Sequence, residues 1–276
     1  MIEDIKKVGI VSCSNGQLSS YKKDIDELDS LLMNRGITPV YSDYIYATDS
    51  VAAGKPMDRA KALMDFYNDE NIDAIFDISG GDIANEILDY LDYQDIATSS
   101  KRFWGYSDLT TVINAIYSMT GKESVLYQAK NLVWDESGKQ KDIFMTESMY
   151  RFDYDFIQGK SMKGTVVGGN IRCFLKLAGT PYFPDANGKV LFLEALSGGE
   201  AQIRTYFAQL KQLGVFSVIN GLFLGTFTEL EGNENNCDIA SIIKDYVDVN
   251  LPVAKTSDIG HGKTSKALVI GKEYSL

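Results

Sequence analysis

The chain has 276 residues, 45% of them hydrophobic, enough for one large core or for two domains of roughly 100–150 residues each. Its 38 acidic against 27 basic side chains give a formal charge of −11, and Lys and Arg cluster only as pairs such as Lys6-Lys7, Lys22-Lys23 and Lys101-Arg102, so neither a nucleic acid nor an anionic membrane is an expected partner. Cys13, Cys173 and Cys237 lie too far apart for a disulfide framework or a zinc site, the apolar run at residues 8–11 is too short for a signal-peptide core, and no stretch approaches the ~20 apolar residues of a membrane span; the expectation is a reduced, cytoplasmic protein.

Residues 8–12 read as a buried strand that ends at the turn residues Ser14-Asn15-Gly16. A helix with Ile25, Leu28, Leu31 and Leu32 on one face follows, closed by Gly36 in the manner of a glycine C-cap. Residues 38–41 form a second strand, 58–67 a helix and 72–78 a third strand. After Ser79-Gly80-Gly81-Asp82 the spacing of Ile83, Ile87, Leu88 and Leu91 predicts a helix that Asp82 can cap. Residues 101–105 are the next strand, and Leu109, Val112, Ile113 and Ile116 mark the helix after it. Strands separated by helices imply a parallel sheet covered on both faces.

Between residues 134 and 163 charged and aromatic residues show no clear period, which suggests a connection into a second domain. Beyond it come a strand from residue 165 with Gly168-Gly169-Asn170, a helix over 171–177, and a buried strand over 190–193. A helix with Ile203, Tyr206, Phe207 and Leu210 on one face leads to a β-rich stretch over 215–227. A helix near 239–247, a strand over 251–254 and a glycine-flanked loop complete the order. Two α/β domains are the natural partition: 1–130, a connection over 131–164, and 165–276. The aromatic residues at 41–46 and 149–156 either pack the junction or line a pocket.

In open parallel sheets ligands gather beyond the carboxyl ends of the strands. Two such ends carry chemistry. Gly80-Gly81 lets the backbone approach a ligand and point N–H groups at it, although a tight strand-to-helix turn needs glycine too. Ser107, in Gly105-Tyr106-Ser107-Asp108, lies where a sharp turn exposes a hydroxyl above the N–H groups of a helix start; its other reading is a helix N-cap. A serine nucleophile needs a base, and His261 is the only histidine. It lies in Gly260-His261-Gly262, a loop position past the last strand. Glu194, ending the apolar run 190–193, is the best placed acid to orient an imidazole. Cys13 and Asp77 end strands as well. Cys13 reads as a small buried residue, and Asp77 has no second ligand at metal-site spacing.

Taken together, these residues resemble the LD-carboxypeptidase family of serine peptidases, including its microcin C immunity branch. The matching segments are residues 8–16, Gly80-Gly81-Asp82 with Asn85 to Asp92, Gly105-Tyr106-Ser107-Asp108-Leu109-Thr110, Gly168-Gly169-Asn170, Gly179-Thr180-Pro181-Tyr182, Leu191-Phe192-Leu193-Glu194 and Gly260-His261-Gly262. The resemblance implies an α/β fold, with a flavodoxin-like first domain of the class I glutamine amidotransferase kind and a smaller α/β second domain. It implies Ser107 as nucleophile, Glu194 as acid and His261 as base, with the N–H groups of Gly81 and Asp108 as oxyanion donors. No cofactor and no metal is implied. The expected substrate is a small peptide or peptidyl conjugate: a murein peptide ending in a D-amino acid, or in the immunity branch a peptidyl nucleotide. A homodimer is the expected assembly, and a silent binding relative is the non-enzymatic alternative. Where the family commonly has a Gly-Pro step after Gly121, this chain has Leu126-Tyr127-Gln128-Ala129, a difference that bears on substrate choice.

Overall fold

The computed structural model describes residues 5–48, 50–232 and 238–276, so Cys237 lies outside the described residues. In chain order the first half runs β1 (Lys7–Val11), α1 (Lys22–Met33), β2 (Thr38–Tyr41), α2 (Pro56–Asn68), β3 (Ala74–Asp77), a 3₁₀ segment (Ala84–Tyr90), α3 (Tyr93–Thr98), β4 (Arg102–Gly105), α4 (Thr110–Thr120) and β5 (Ser124–Leu126). Next come α5 (Asn131–Trp134), α6 (Lys139–Ile143), β6 (Asp155–Gln158), β7 (Lys163–Asn170), α7 (Ile171–Leu175), β8 (Val190–Ala195) and α8 (Glu200–Gln212). The remainder is β9 (Gly221–Phe227), α9 (Thr228–Gly232), α10 (Ile239–Ile243), β10 (Val253–Lys255), β11 (Leu268–Ile270) and β12 (Glu273–Ser275).

These strands build two six-stranded sheets, ordered β11-β5-β4-β3-β1-β2 and β12-β7-β8-β9-β10-β6. In each, the inner pairings are parallel; β11, β12 and β6 join antiparallel at the edges. Every residue of β3 and β8 is buried, as strands covered on both faces must be. On one face of the first sheet Ile25, Leu28 and Leu32 of α1 pack with Phe76, Trp104 and Leu132. On the other, Leu63 and Phe66 of α2 and Val112, Ile113 and Ile116 of α4 cover Val11 and Ile75, and this cluster continues into Val190, Phe192 and Phe223 of the second sheet. The far face of the second sheet is closed by Phe174, Ile203, Phe207 and Ile242.

The topology crosses the sequence partition at two places. β6 lies in the stretch that lacked periodicity, yet it pairs with β10, and β11 returns from the far end of the chain to pair with β5. The aromatic stretch at 149–156 does span the junction: Met149 is buried in the first-domain core, while Phe152 packs on Phe223 at 5.4 Å between centroids. Tyr41 and Tyr46 instead line a cavity of about 330 Å³ with Ile25, Asp26 and Asp29.

Two local expectations are corrected. The segment after Gly81 is a 3₁₀ helix, because the buried Arg59 guanidinium donates to the Ile83 carbonyl at 3.2 Å and the Glu86 N–H closes an i→i+3 turn on that same oxygen. Asp82 does not cap it. The Asp82 carboxylate is drawn to Arg172 in the second domain, and the Ala84 N–H donates to Asp108 at 2.8 Å.

Candidate active site

The carboxyl ends of β3 and β4 face the carboxyl end of β8 and the loop after β10, so two sheets contribute to one site. Ser107 is separated from the end of β4 only by Tyr106 and carries φ +58°, a left-handed conformation that a non-glycine residue holds at a cost of about 1–2 kcal/mol. The sharp turn requires close packing beneath it, since a Cβ at Gly105 would lie 2.7 Å from Leu109 Cβ. Neither Ser107 nor Asp108 serves as side-chain cap of its own helix; the N-cap position is Tyr106, without a side-chain bond.

The sequence separation of 154 between Ser107 and His261 is closed by folding: the His261 Nε2 lies 3.1 Å from the Ser107 Oγ. The other ring nitrogen, Nδ1, lies 2.5 Å from Oε2 of Glu194, whose side chain is 1% exposed. A carboxylate only accepts, so the proton belongs on Nδ1 and Nε2 is left as an acceptor toward the hydroxyl. Glu194 is held in turn by the Asn170 side-chain amide, which donates to Oε1 at 3.2 Å. Tyr106 stacks edge-on against the imidazole at 5.0 Å, and burial, reinforced by the Glu194 charge, holds its phenol well above the usual range.

The second glycine of the β3 turn has no substitute. Gly81 is at φ +131°, and a Cβ there would come within 2.2 Å of the Asn15 side chain. Asn15 clamps this turn from below, donating its N–H to the Gly80 carbonyl and accepting from the Asp82 N–H, both at 3.2 Å. Asp77 and Cys13 are buried together beneath the turn: the carboxylate accepts from the Cys13 N–H at 2.8 Å and from the Ser79 hydroxyl at 2.5 Å. Burial raises the pKa of both groups.

Asp108, fully buried, collects donors from three parts of the chain: Ser14 Oγ at 2.6 Å, the Ala84 N–H at 2.8 Å, and Lys176 Nζ at 2.6 Å. Lys176 also donates to the Asp82 carbonyl at 2.8 Å, and Arg172 pairs with the Asp82 carboxylate, so the end of α7 ties the second domain to the Gly81 turn. Sequence reasoning missed both cations. The available signal was their four-residue spacing, which puts Arg172 and Lys176 on one side of a helical turn. It also gave no role to Thr110, whose hydroxyl accepts from the Asn170 N–H at 3.0 Å, or to Lys130.

Comparison with known proteins agrees with this architecture. Family models match over almost the whole chain: the LD-carboxypeptidase N-terminal domain over residues 8–127 and the LD-carboxypeptidase C-terminal domain over residues 163–276. A probable murein peptide carboxypeptidase of Bacillus subtilis is 27% identical over 241 residues, covering 81% of this chain and 75% of that protein. The microcin C7 self-immunity protein MccF of Escherichia coli is 23% identical over 288 residues, covering 89% and 83%. Among solved structures, MccF in complex with aspartyl sulfamoyl adenosine overlays with a TM-score of 0.86 at 20% identity, covering 99% of this chain and 94% of that one. A muramoyltetrapeptide carboxypeptidase from Oxalobacter formigenes overlays with a TM-score of 0.81 at 23% identity, covering 98% and 94%. With both halves matched in order, this chain belongs to the LD-carboxypeptidase family.

Proposed function

We propose that the chain is a serine carboxypeptidase that cleaves the amide bond to a terminal D-amino acid in murein peptides, with Ser107 as nucleophile, His261 as general base and acid, and Glu194 as the orienting carboxylate. The observation that carries this reading is the unbroken relay of Ser107 Oγ, the imidazole and the Glu194 carboxylate, at 3.1 and 2.5 Å. In the reaction His261 Nε2 takes the hydroxyl proton as Oγ attacks the scissile carbonyl. The N–H groups of Gly81 and Asp108 receive the oxyanion, and the amine departs with the proton from the imidazole. Water then hydrolyses the acyl-enzyme by the same route in reverse. Glu194 keeps Nδ1 and its proton turned away from the serine throughout, and its charge stabilises the imidazolium formed when Nε2 is protonated.

A relative at 27% identity that is described as a murein peptide carboxypeptidase favours this substrate. A second substrate class, a peptidyl-nucleotide conjugate, has the support of the MccF likeness over 99% of the chain. The two are separated by offering a murein tetrapeptide and aspartyl sulfamoyl adenosine side by side and following D-alanine or nucleoside release. Ser107→Ala is expected to abolish turnover of either, and labelling by a fluorophosphonate, while keeping the far-ultraviolet spectrum of the parent. His261→Ala is expected to lower kcat by roughly 10³-fold or more. Retained turnover in Ser107→Ala would end the assignment, and a folded parent that resists the label and both substrates would point to a silent binding protein.

A further inference from the structure

Among the described residues Lys101 and Lys130 are both buried lysines without a paired carboxylate; Lys101 donates to the Tyr67 carbonyl, whereas Lys130 lies against aromatic rings. Lys130 lies between β5 and α5, and it is only 6% exposed. Its Nζ donates to Oε1 of Gln17 at 2.8 Å and lies 4.6 Å from the Trp134 ring centroid and 5.5 Å from that of Tyr21. Among the described residues no carboxylate oxygen is paired with it. The two acidic groups that act on it from a distance, Asp77 and Asp24, are already engaged: Asp77 by Cys13 and Ser79, and Asp24 by the Trp134 indole N–H at 2.9 Å. An ammonium has three N–H groups, and Gln17 takes one.

A buried charge without a counter-ion is costly, and aromatic faces recover only part of that cost. Burial accordingly holds the Lys130 pKa at about 8. The residue is also tied to both halves of the site. Gln17 is fixed by donating its amide to the Ile78 carbonyl at 3.0 Å, just before the Gly80-Gly81 turn. The neighbouring Asn131 donates to the Gly262 carbonyl at 3.5 Å, next to His261.

We propose that Lys130 is the anion-recognition residue of the substrate subsite: its ammonium receives a carboxylate of the substrate, with the rings of Tyr21 and Trp134 as the walls beside it. The inference rests on the hydrolase reading for the identity of the ligand, but binding tests it separately from turnover.

In the Ser107→Ala protein, which cannot turn over, titration with a murein tetrapeptide is followed by tryptophan emission and calorimetry. Lys130→Met is expected to weaken binding 10- to 100-fold, and Lys130→Arg to restore part of the loss. The same peptide amidated at its C-terminus, or at its side-chain carboxylates, identifies the group received: the form lacking it binds weakly to both the lysine and the methionine proteins. In the active enzyme the loss should fall on KM, with kcat held within a few-fold and fluorophosphonate labelling of Ser107 unchanged. Lys130→Gln serves if the methionine variant fails to fold. Equal binding by the lysine and methionine proteins, or a loss of the same size on every amidated peptide, overturns the proposal. Failure of the serine label in the parent would sink the hydrolase reading and leave the binding result to stand on its own.

Discussion

At Ser107 the backbone is held at φ +58°, so the proposed nucleophile is also a residue that the fold strains. Glycine relieves that strain, whereas alanine keeps it. Ser107→Gly is therefore expected to be more stable than Ser107→Ala by about 1 kcal/mol, the reverse of the usual order, as read by urea unfolding of the two variants. Lys130 is a second residue where stability and use oppose each other. Its pKa falls from 10.5 to about 8, equivalent to roughly 3 kcal/mol at 1.36 kcal/mol per unit. Because the folded value lies below the unfolded one, the unfolded chain binds the extra proton between pH 8 and 10.5. The penalty is complete below pH 8 and is relieved as pH rises through that window. Lys130→Met should thus stabilise the protein at pH 7, by up to about 3 kcal/mol before lost packing is counted, and should flatten the difference in stability between pH 7.5 and 10.

Among the elements, β7 and α4 hold the two sheets in register over the site. Asn114 of α4 donates to the Gly168 carbonyl and accepts from the Gly168 N–H, at 2.8 and 2.9 Å, and Gly169 lies flat against Thr110. A Cβ at Gly169, φ +141°, would meet Thr110 Oγ1 at 2.5 Å. Gly169→Ala should cost about 2–3 kcal/mol and lower kcat, because the displaced Asn170 no longer supports Glu194; thermal unfolding and steady-state kinetics on the same sample check both. Elements of this kind were legible where one residue type carries the geometry. Buried strands showed as apolar runs, a lone histidine narrowed the search for a base, and a serine between a strand and a helix marked the turn. What stayed hidden depends on partners distant in sequence. Nothing in Asp155 to Gln158 announces a pairing with β10, and Asp82 looks like a cap until Arg172 is brought beside it.

On the scale of the whole molecule the two sheets share one apolar cluster, which contains Leu109 and Ile113 together with Phe192 and Phe223, so they are expected to melt together. Calorimetry should show one cooperative transition. Lys176→Met should lower its midpoint by removing the cation from Asp108, which is fully buried. Lys176 keeps a fifth of its side chain in solvent, and Ser14 and Ala84 still serve the carboxylate, so a loss toward the lower end of the range for broken buried pairs, about 3 kcal/mol, is expected. The return of β11 to the first sheet has a consequence for biosynthesis. A ribosome releases the serine 154 residues before its imidazole, and the strand that flanks β5 only after both. The growing polypeptide therefore carries the proposed nucleophile before its proposed base has been made, and the front sheet stays open along one margin until β11 has left the exit tunnel.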